Sequence, residues 1–167
     1  MIGLIRCGLA IAVLATPLAA RAAGPPPAVA AYAQQLVDRC HQLGGQAASA
    51  PPRRADLNGD GLDDWLIQEG PGDCVGSAAG PGGGQVTIFV GQADGGALPS
   101  FQQGIHGLRI ERARGKPTLW LAVSGRLCGA SGAQQPAIRC DRLLVWKPDV
   151  GAFAFDATVR TPSRIAP

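Results

Sequence analysis

Six short runs of β-branched, aromatic and aliphatic residues most strongly constrain the fold of this chain. They span residues 65–68, 85–90, 108–111, 118–124, 143–147 and 152–159, and they are separated by Gly, Pro and Asp residues. This spacing is typical of an antiparallel β domain, because parallel strands need long helical crossovers between them. The composition agrees, since 24 Gly and 14 Pro among 167 residues favour a loop-rich β protein over a helical bundle.

The last two runs are expected to form a hairpin. Pro148, Asp149 and Gly151 lie between them, and these residue types are the usual ones in tight turns.

One helix is expected before the strands, over residues 28–43. Apolar side chains recur there at steps of three and four, namely Val29, Tyr32, Ala33, Leu36, Cys40 and Leu43. This spacing marks one face of an amphipathic helix, and Gly44-Gly45 is a natural stop. The sequence therefore predicts an α+β fold, mainly antiparallel β, in which one N-terminal amphipathic helix packs on a small, disulfide-stapled β-sheet domain.

Residues 1–22 have the pattern of a secretory signal peptide. Arg6 precedes an apolar run, and Ala20-Arg21-Ala22 supplies the small residues of a cleavage site. The predicted organisation is a signal peptide at 1–22 and a single β-rich domain at 23–167, located in the periplasm or outside the cell. The alternative is an uncleaved N-terminal anchor. No later segment approaches eighteen apolar residues, so no transmembrane segment is expected after cleavage.

The charge of the chain argues against a nucleic-acid partner. The formal charge is +3, and loss of Arg6 and Arg21 with the leader lowers it to +1. A nucleic-acid-binding domain needs a pronounced basic excess. We expect a monomer with a partner in the envelope or the medium.

Four cysteines remain after the leader: Cys40, Cys74, Cys128 and Cys140. An even count in an exported chain predicts two disulfides. Of the three possible pairings, proximity in sequence favours Cys40–Cys74 and Cys128–Cys140. Metal binding is the competing interpretation, but the Cys-x-x-Cys and Cys/His spacings of zinc sites do not occur.

The motif that carries chemistry is DLNGDGLDD, residues 56–64. Asp56, Asn58 and Asp60 occupy its first, third and fifth positions, and Gly61 permits a sharp turn at the sixth. Calcium binds six to eight hard oxygen ligands, which alternate side chains of a tightly curled loop can present. The sequence therefore predicts a calcium loop.

Two further residues can complete the ligand sphere. Leu62 can offer its backbone carbonyl, and Asp64 can bind directly or through water. The competing interpretation is a solvated turn without metal, since Asp, Asn and Gly are common in turns. Against it stands the crowding of several carboxylates, which repel one another when no cation neutralises them.

The loop differs from an EF-hand, because its twelfth position is Ile67 rather than Glu and a strand-like segment follows. It resembles instead the calcium loops of integrin-type FG-GAP and related VCBS repeats, in which a D-x-[DN]-x-D-G-x-x-D loop joins two β-strands. A β-propeller needs several such repeats, and this chain has one. The resemblance implies that Asp63 is not a ligand and that the ligands are Asp56, Asn58, Asp60, Leu62 (carbonyl) and Asp64.

More of the chain resembles a group of small exported bacterial proteins of unassigned function. The shared features are a Cys-bearing helix ending in Gly-Gly, the DLNGDG loop, a Gly/Cys-rich loop, and late Cys-Gly…Cys and Trp…Phe segments. Here they correspond to residues 40–45, 56–65, 73–84, 128–140 and 146–153. The glycine-rich loop at 70–84 departs from that pattern, because it carries Cys74 without additional cysteines.

A catalytic site has weaker support. His106 would need a nucleophile and an orienting acid, and the available Ser77, Ser124 and Ser131 do not lie in a G-x-S-x-G elbow. We therefore interpret His106 as an ordinary polar residue.

Two further groups of side chains are interpreted structurally. The basic stretch of Arg109, Arg112, Arg114 and Lys116 is read as a solvated strand face and turn, with an anionic surface partner as the alternative. The three tryptophans are read as core or edge packing; they are Trp65, Trp120 and Trp146.

Two functional hypotheses follow. The first is an exported, non-enzymatic binding or envelope-associated module whose calcium is structural. The second is a small secreted hydrolase or hydrolase inhibitor with a calcium-shaped site. The sequence favours the first, because it offers no paired acid and base that could be assigned to a mechanism.

Overall fold

The computed structural model describes residues 24–48, 51–70, 73–75, 84–113, 116–129 and 138–160. The predicted leader at 1–22 and most of the glycine-rich loop at 70–84 lie outside these residues, as do Ser77, Arg114 and Ser131. Within the described ranges, no helix has the length and apolar character needed to cross a membrane.

The described residues contain one α-helix, ten strands and a short 3₁₀ helix, Gly125–Cys128. The helix and strands are α1 (Pro27–Gln42), β1 (Gln46–Ala47), β2 (Arg53–Ala55), β3 (Asp64–Glu69), β4 (Cys74–Val75), β5 (Gly84–Gly91), β6 (Ala97–Ile105), β7 (Gly107–Ala113), β8 (Lys116–Ser124), β9 (Arg139–Lys147) and β10 (Ala152–Arg160). The expectation of a mainly antiparallel β protein with one helix and two disulfides is confirmed.

Two four-stranded antiparallel sheets face each other across the main core. Their strand orders are β2-β3-β5-β6 and β10-β9-β8-β7, and β1 pairs separately with β4. Leu66 and Ile88 from the first sheet belong to the same buried cluster as Leu121, Leu144 and Phe153 from the second. Burying one face of each sheet in this way makes the architecture a β-sandwich.

Helix α1 covers the outer face of the first sheet. Its Val29 is fully buried in a second cluster with Trp65, Ile67 and Phe89. Alternate β3 residues therefore face opposite ways, Leu66 toward the sandwich core and its two neighbours toward the helix. This double burial explains why the segment 65–67 is continuously apolar.

A tyrosine fixes the helix in position. The Tyr32 hydroxyl lies 2.9 Å from the Thr87 hydroxyl and accepts hydrogen bonds from the side-chain amides of Gln85 and Gln102, each at 3.0 Å. Its ring packs edge-on against Phe89 with centroids 5.4 Å apart. The partners lie on β5 and β6, so the helix is attached to two adjacent strands.

The two disulfides are Cys40–Cys74 and Cys128–Cys140, with Cα–Cα distances of 5.5 and 5.6 Å. These are the two pairs that are close in sequence. The first joins the last turn of α1 to β4, and the second joins the 3₁₀ helix to β9.

The predicted hairpin between the last two strands is confirmed. β9 and β10 pair antiparallel, with Lys147 opposite Ala152, and the Val150 N–H donates to the Lys147 carbonyl at 3.2 Å. At one end of the sandwich, this turn lies near the β5–β6 turn and the loop between β2 and β3, because residues of all three line one cleft.

Candidate metal centre

The DLNGDG motif forms the loop between β2 and β3. A strand rather than a helix follows it, as expected from the apolar residues after Asp64. Gly59 and Gly61 have φ values of +87° and +84°, a backbone conformation that other residues rarely adopt. These two glycines allow the loop to curl on itself.

The Asp56 carboxylate stabilises the curled backbone of the loop through two hydrogen bonds. Its Oδ1 accepts a hydrogen bond from the Gly59 N–H at 2.7 Å, and its Oδ2 accepts one from the Gly61 N–H at 3.1 Å. The side chain at the first motif position therefore points into the loop that the next five residues form.

Asn58 and Asp60 lie close together in the same loop. The Asn58 side-chain amide donates to Asp60 Oδ2 at 2.9 Å, and the Asp60 N–H donates to Asn58 Oδ1 at 3.0 Å. Asp60 Oδ1 also accepts from the Leu62 N–H at 2.7 Å. Asp56 and Asn58 are half-buried and Asp60 is exposed, so solvent reaches the group of oxygen atoms.

Asp64 differs from the other predicted ligands because it is fully buried. Its Oδ2 accepts from the N–H groups of Leu57 and Asn58 at 2.8 and 3.2 Å, and its Oδ1 accepts from the Gly91 N–H at 2.9 Å. Burial raises the pKa of this carboxyl, the three N–H donors oppose that rise, and the charge of Asp60 adds slightly to it. Asp64 therefore connects both ends of the loop to β5.

Gly91 lies closer to the loop than any other residue type could. A Cβ atom at this position would stand 2.3 Å from the Asp63 carbonyl oxygen. The missing side chain lets the end of β5 pack directly against the backbone at the end of the loop. Gly91 is not among the residues predicted from the sequence; the available signal is a glycine directly after the apolar run 85–90.

Asp63 points to a different partner from its neighbours. Its Oδ2 lies 3.6 Å from Nη1 of Arg54 on β2. The pair is partly exposed, so its contribution to stability is expected to be small. This ion pair agrees with the implied exclusion of Asp63 from the ligand set.

The oxygen atoms of the loop are suited to bind a hard cation, although few of them belong to carboxylates that are accessible to an ion. Among the described residues, no three His, Cys, Asp or Glu side chains form a group that could hold a metal ion. The loop instead combines two accessible carboxylates, Asp56 and Asp60, with the amide oxygen of Asn58 and the carbonyl of Leu62. Oxygen donors of this mixed kind fit calcium, which accepts carbonyl and water ligands as well as carboxylates.

The structure brings together one further pair that the sequence did not connect. His106 Nε2 lies 3.0 Å from the Ser124 hydroxyl, because pairing of β7 with β8 places residues 107 and 122 opposite each other. His106 is exposed. Eighteen residues separate the two side chains, so no local motif could have revealed the contact.

Arg109 of the basic stretch and two of the tryptophans have contacts or burial that fit a structural role. Arg109 lies 2.9 Å from Glu111 and 3.7 Å from Asp141, so this member of the basic stretch takes part in ion pairs. Trp65 and Trp120 are 8% and 4% exposed.

Comparison with known proteins finds no matching family model, no matching curated protein and no matching solved structure.

Proposed function

We propose that this chain is an exported, non-enzymatic calcium-binding module, in which the loop between β2 and β3 holds the ion. The observation that carries the proposal is the inward turn of Asp56 together with the contact of Asn58 and Asp60 in one curled, accessible loop. The Leu62 carbonyl and water complete the proposed sphere. Asp64 takes part through water, because its two oxygens already accept three N–H groups.

The proposed role of the ion is structural. Bound calcium would neutralise the carboxylates of Asp56 and Asp60, which otherwise repel each other across a small loop. A sphere with few free carboxylates gives weak binding, and extracellular calcium modules often have dissociation constants of about 10⁻⁴–10⁻³ M. Such a site suits a compartment in which calcium is abundant, such as the periplasm or the medium.

Export is part of the same proposal. The two disulfides support it, because disulfides persist in oxidising compartments. Mass spectrometry of the protein from its native host should show a mature chain that begins near Ala23. Recovery of the intact Met1 form from membranes would contradict export with cleavage.

Calorimetric titration of calcium into the chelator-treated mature protein tests the metal site. We expect one site of about 10⁻⁴–10⁻³ M. Magnesium should bind more weakly, because it demands a stricter octahedron and holds its waters. Asp60→Ala should abolish the calcium heat, whereas Asp63→Ala, whose side chain pairs with Arg54, should leave it intact. Absence of calcium heat in the wild-type protein would refute the proposed site.

A further inference from the structure

A cleft beside the calcium loop has the composition of a ligand site. It has a volume of about 370 Å³ and is lined by the loop between β2 and β3, by β5, β6 and the turn between them, and by the β9–β10 hairpin. We call it the loop cleft and define it by Asn58, Asp60, Gln92, Leu98, Ser100 and Trp146. A second cleft of about 270 Å³ adjoins it, since Asn58 and Trp146 line both.

Trp146 provides a fixed aromatic surface in the loop cleft. It is half-buried and lies opposite Phe153 in the β9–β10 pair, with the rings edge-to-face at a centroid distance of 5.2 Å. Phe153 itself belongs to the main core. The indole is therefore held by the sandwich and still partly accessible, unlike the buried Trp65 and Trp120.

The polar groups around the indole have unused hydrogen-bonding capacity. Ser100 Oγ accepts from the Phe153 N–H at 3.1 Å, which leaves its O–H free to donate. Gln92 donates through Nε2 to the carbonyls of Val90 and Gly91, which leaves its Oε1 free to accept. These bonds also fix both side chains in place before any ligand arrives.

The charge of the cleft narrows the ligand class. Among the described residues that line it, none is Lys, Arg or His, and Asp60 is acidic. An anion would find no side-chain cation, and a cation would compete with calcium for Asp60. A neutral, hydroxyl-rich ligand matches a flat aromatic face surrounded by amide, hydroxyl and carboxylate groups.

We propose that the loop cleft binds a neutral oligosaccharide, with one sugar ring stacked on Trp146 and its hydroxyl groups hydrogen-bonded to Asp60, Gln92 and Ser100. Leu98, which is 60% exposed, extends the apolar side of the surface. This proposal extends the proposed function. The calcium dependence of sugar binding rests on that function, because a bound ion would fix Asn58 and Asp60 and so strengthen sugar binding.

The test is titration of the mature protein with hexasaccharides of β-1,4-linked glucose, β-1,4-linked N-acetylglucosamine and α-1,4-linked glucose, in calcium and in chelator. Calorimetry gives affinity, and a change in tryptophan fluorescence that is absent from Trp146→Phe reports contact with the Trp146 ring, since Trp65 and Trp120 also fluoresce. Trp146→Ala should weaken binding about tenfold, the upper range for one aromatic contact. Trp146→Phe should weaken it less, which keeps the test valid if the alanine variant does not fold. Gln92→Ala should weaken binding, and Gln103→Ala, a glutamine outside the cleft, should not.

The outcomes separate the two proposals. If a sugar binds and Trp146→Ala weakens that binding, the cleft proposal is supported. This holds even if calcium has no effect and the metal site is refuted. Calcium binding without binding of any of the three sugars overturns the cleft proposal and leaves the metal site standing. Binding of tetramethylammonium in place of the sugars also overturns it, because the indole would then be a cation site.

Discussion

Asp64 Oδ1 accepts a hydrogen bond from the Gly91 backbone N–H at 2.9 Å, which joins the end of the candidate calcium loop to the end of β5. The other oxygen of the same carboxylate binds the N–H groups of Leu57 and Asn58 near the start of the loop. One buried side chain thus sets the shape of the loop through protein contacts alone. We therefore assign Asp64 mainly to folding and Asp60 mainly to ion binding.

Asp64→Ala should lower the free energy of unfolding by about 3 kcal/mol or more, because it leaves buried N–H donors without acceptors. The loss should be larger in calcium than in chelator, because a variant without the Asp64 carboxylate also loses stabilisation by the ion. Urea denaturation measures it, and Asp63→Ala is the matched control, with an expected change below about 1 kcal/mol for its partly exposed ion pair. A stability close to wild type for Asp64→Ala would show that the carboxylate does not hold the loop.

Gly91→Ala should destabilise the protein by about 1–3 kcal/mol, the usual range for steric overpacking. The added Cβ would meet the Asp63 carbonyl oxygen at 2.3 Å, and a backbone atom cannot move aside as a flexible side chain can. Gly104→Ala is the control, because Gly104 also lies in a strand but has no atom within 4 Å of the added Cβ. Equal melting temperatures for the two variants would contradict the close approach.

Removal of either disulfide should destabilise the domain. Paired serine variants should lose about 4 kcal/mol for Cys40–Cys74 and about 3 kcal/mol for Cys128–Cys140, as the longer loop restricts the unfolded chain more. Chemical denaturation gives these values, which are upper figures because residual structure in the unfolded chain reduces them. Peptide mapping without reduction checks the pairing, and a Cys40–Cys128 peptide would contradict it.

Glu69→Gln should stabilise the protein slightly at neutral pH. Burial raises the Glu69 pKa above its ordinary value of 4.5, Asp73 adds to the rise, and Arg39 and the Gln85 hydrogen bond oppose it. The folded state therefore holds this proton more tightly than the unfolded chain, so the wild type gains stability relative to the variant as pH falls through the raised pKa. The gain is complete below about pH 4.5. Urea midpoints that differ equally at pH 7 and pH 4 would oppose this explanation.

The strands with strong apolar patterns were predictable from sequence. The runs 118–124 and 152–159 correspond to β8 and β10, whose inward residues Leu121 and Phe153 fill the core. The sequence does not predict β6, because ALPSFQQGI carries a proline and several polar residues in place of an alternating pattern. It forms because it pairs with all of β5 at the sheet edge, where a register shift accommodates Pro99.

The candidate site was only partly predictable for a similar reason. Motif spacing identified Asp56, Asn58 and Asp60 because local turns of the loop bring them together. The bond of Asp64 to Gly91 and the position of Trp146 beside the loop depend on pairing between segments far apart in sequence. A local sequence pattern does not predict contacts between segments that are far apart in the chain.

The most direct test of the calcium site is a thermal melt of the mature protein in chelator and in about 1 mM calcium. With a dissociation constant of about 0.1 mM, calcium should add about 1.4 kcal/mol to stability and raise the melting temperature by a few degrees. Asp60→Ala should melt at one temperature in both conditions, and Asp63→Ala should keep the full shift. A wild-type protein that melts at the same temperature with and without calcium, or an Asp63→Ala variant that behaves like Asp60→Ala, would contradict the proposed site.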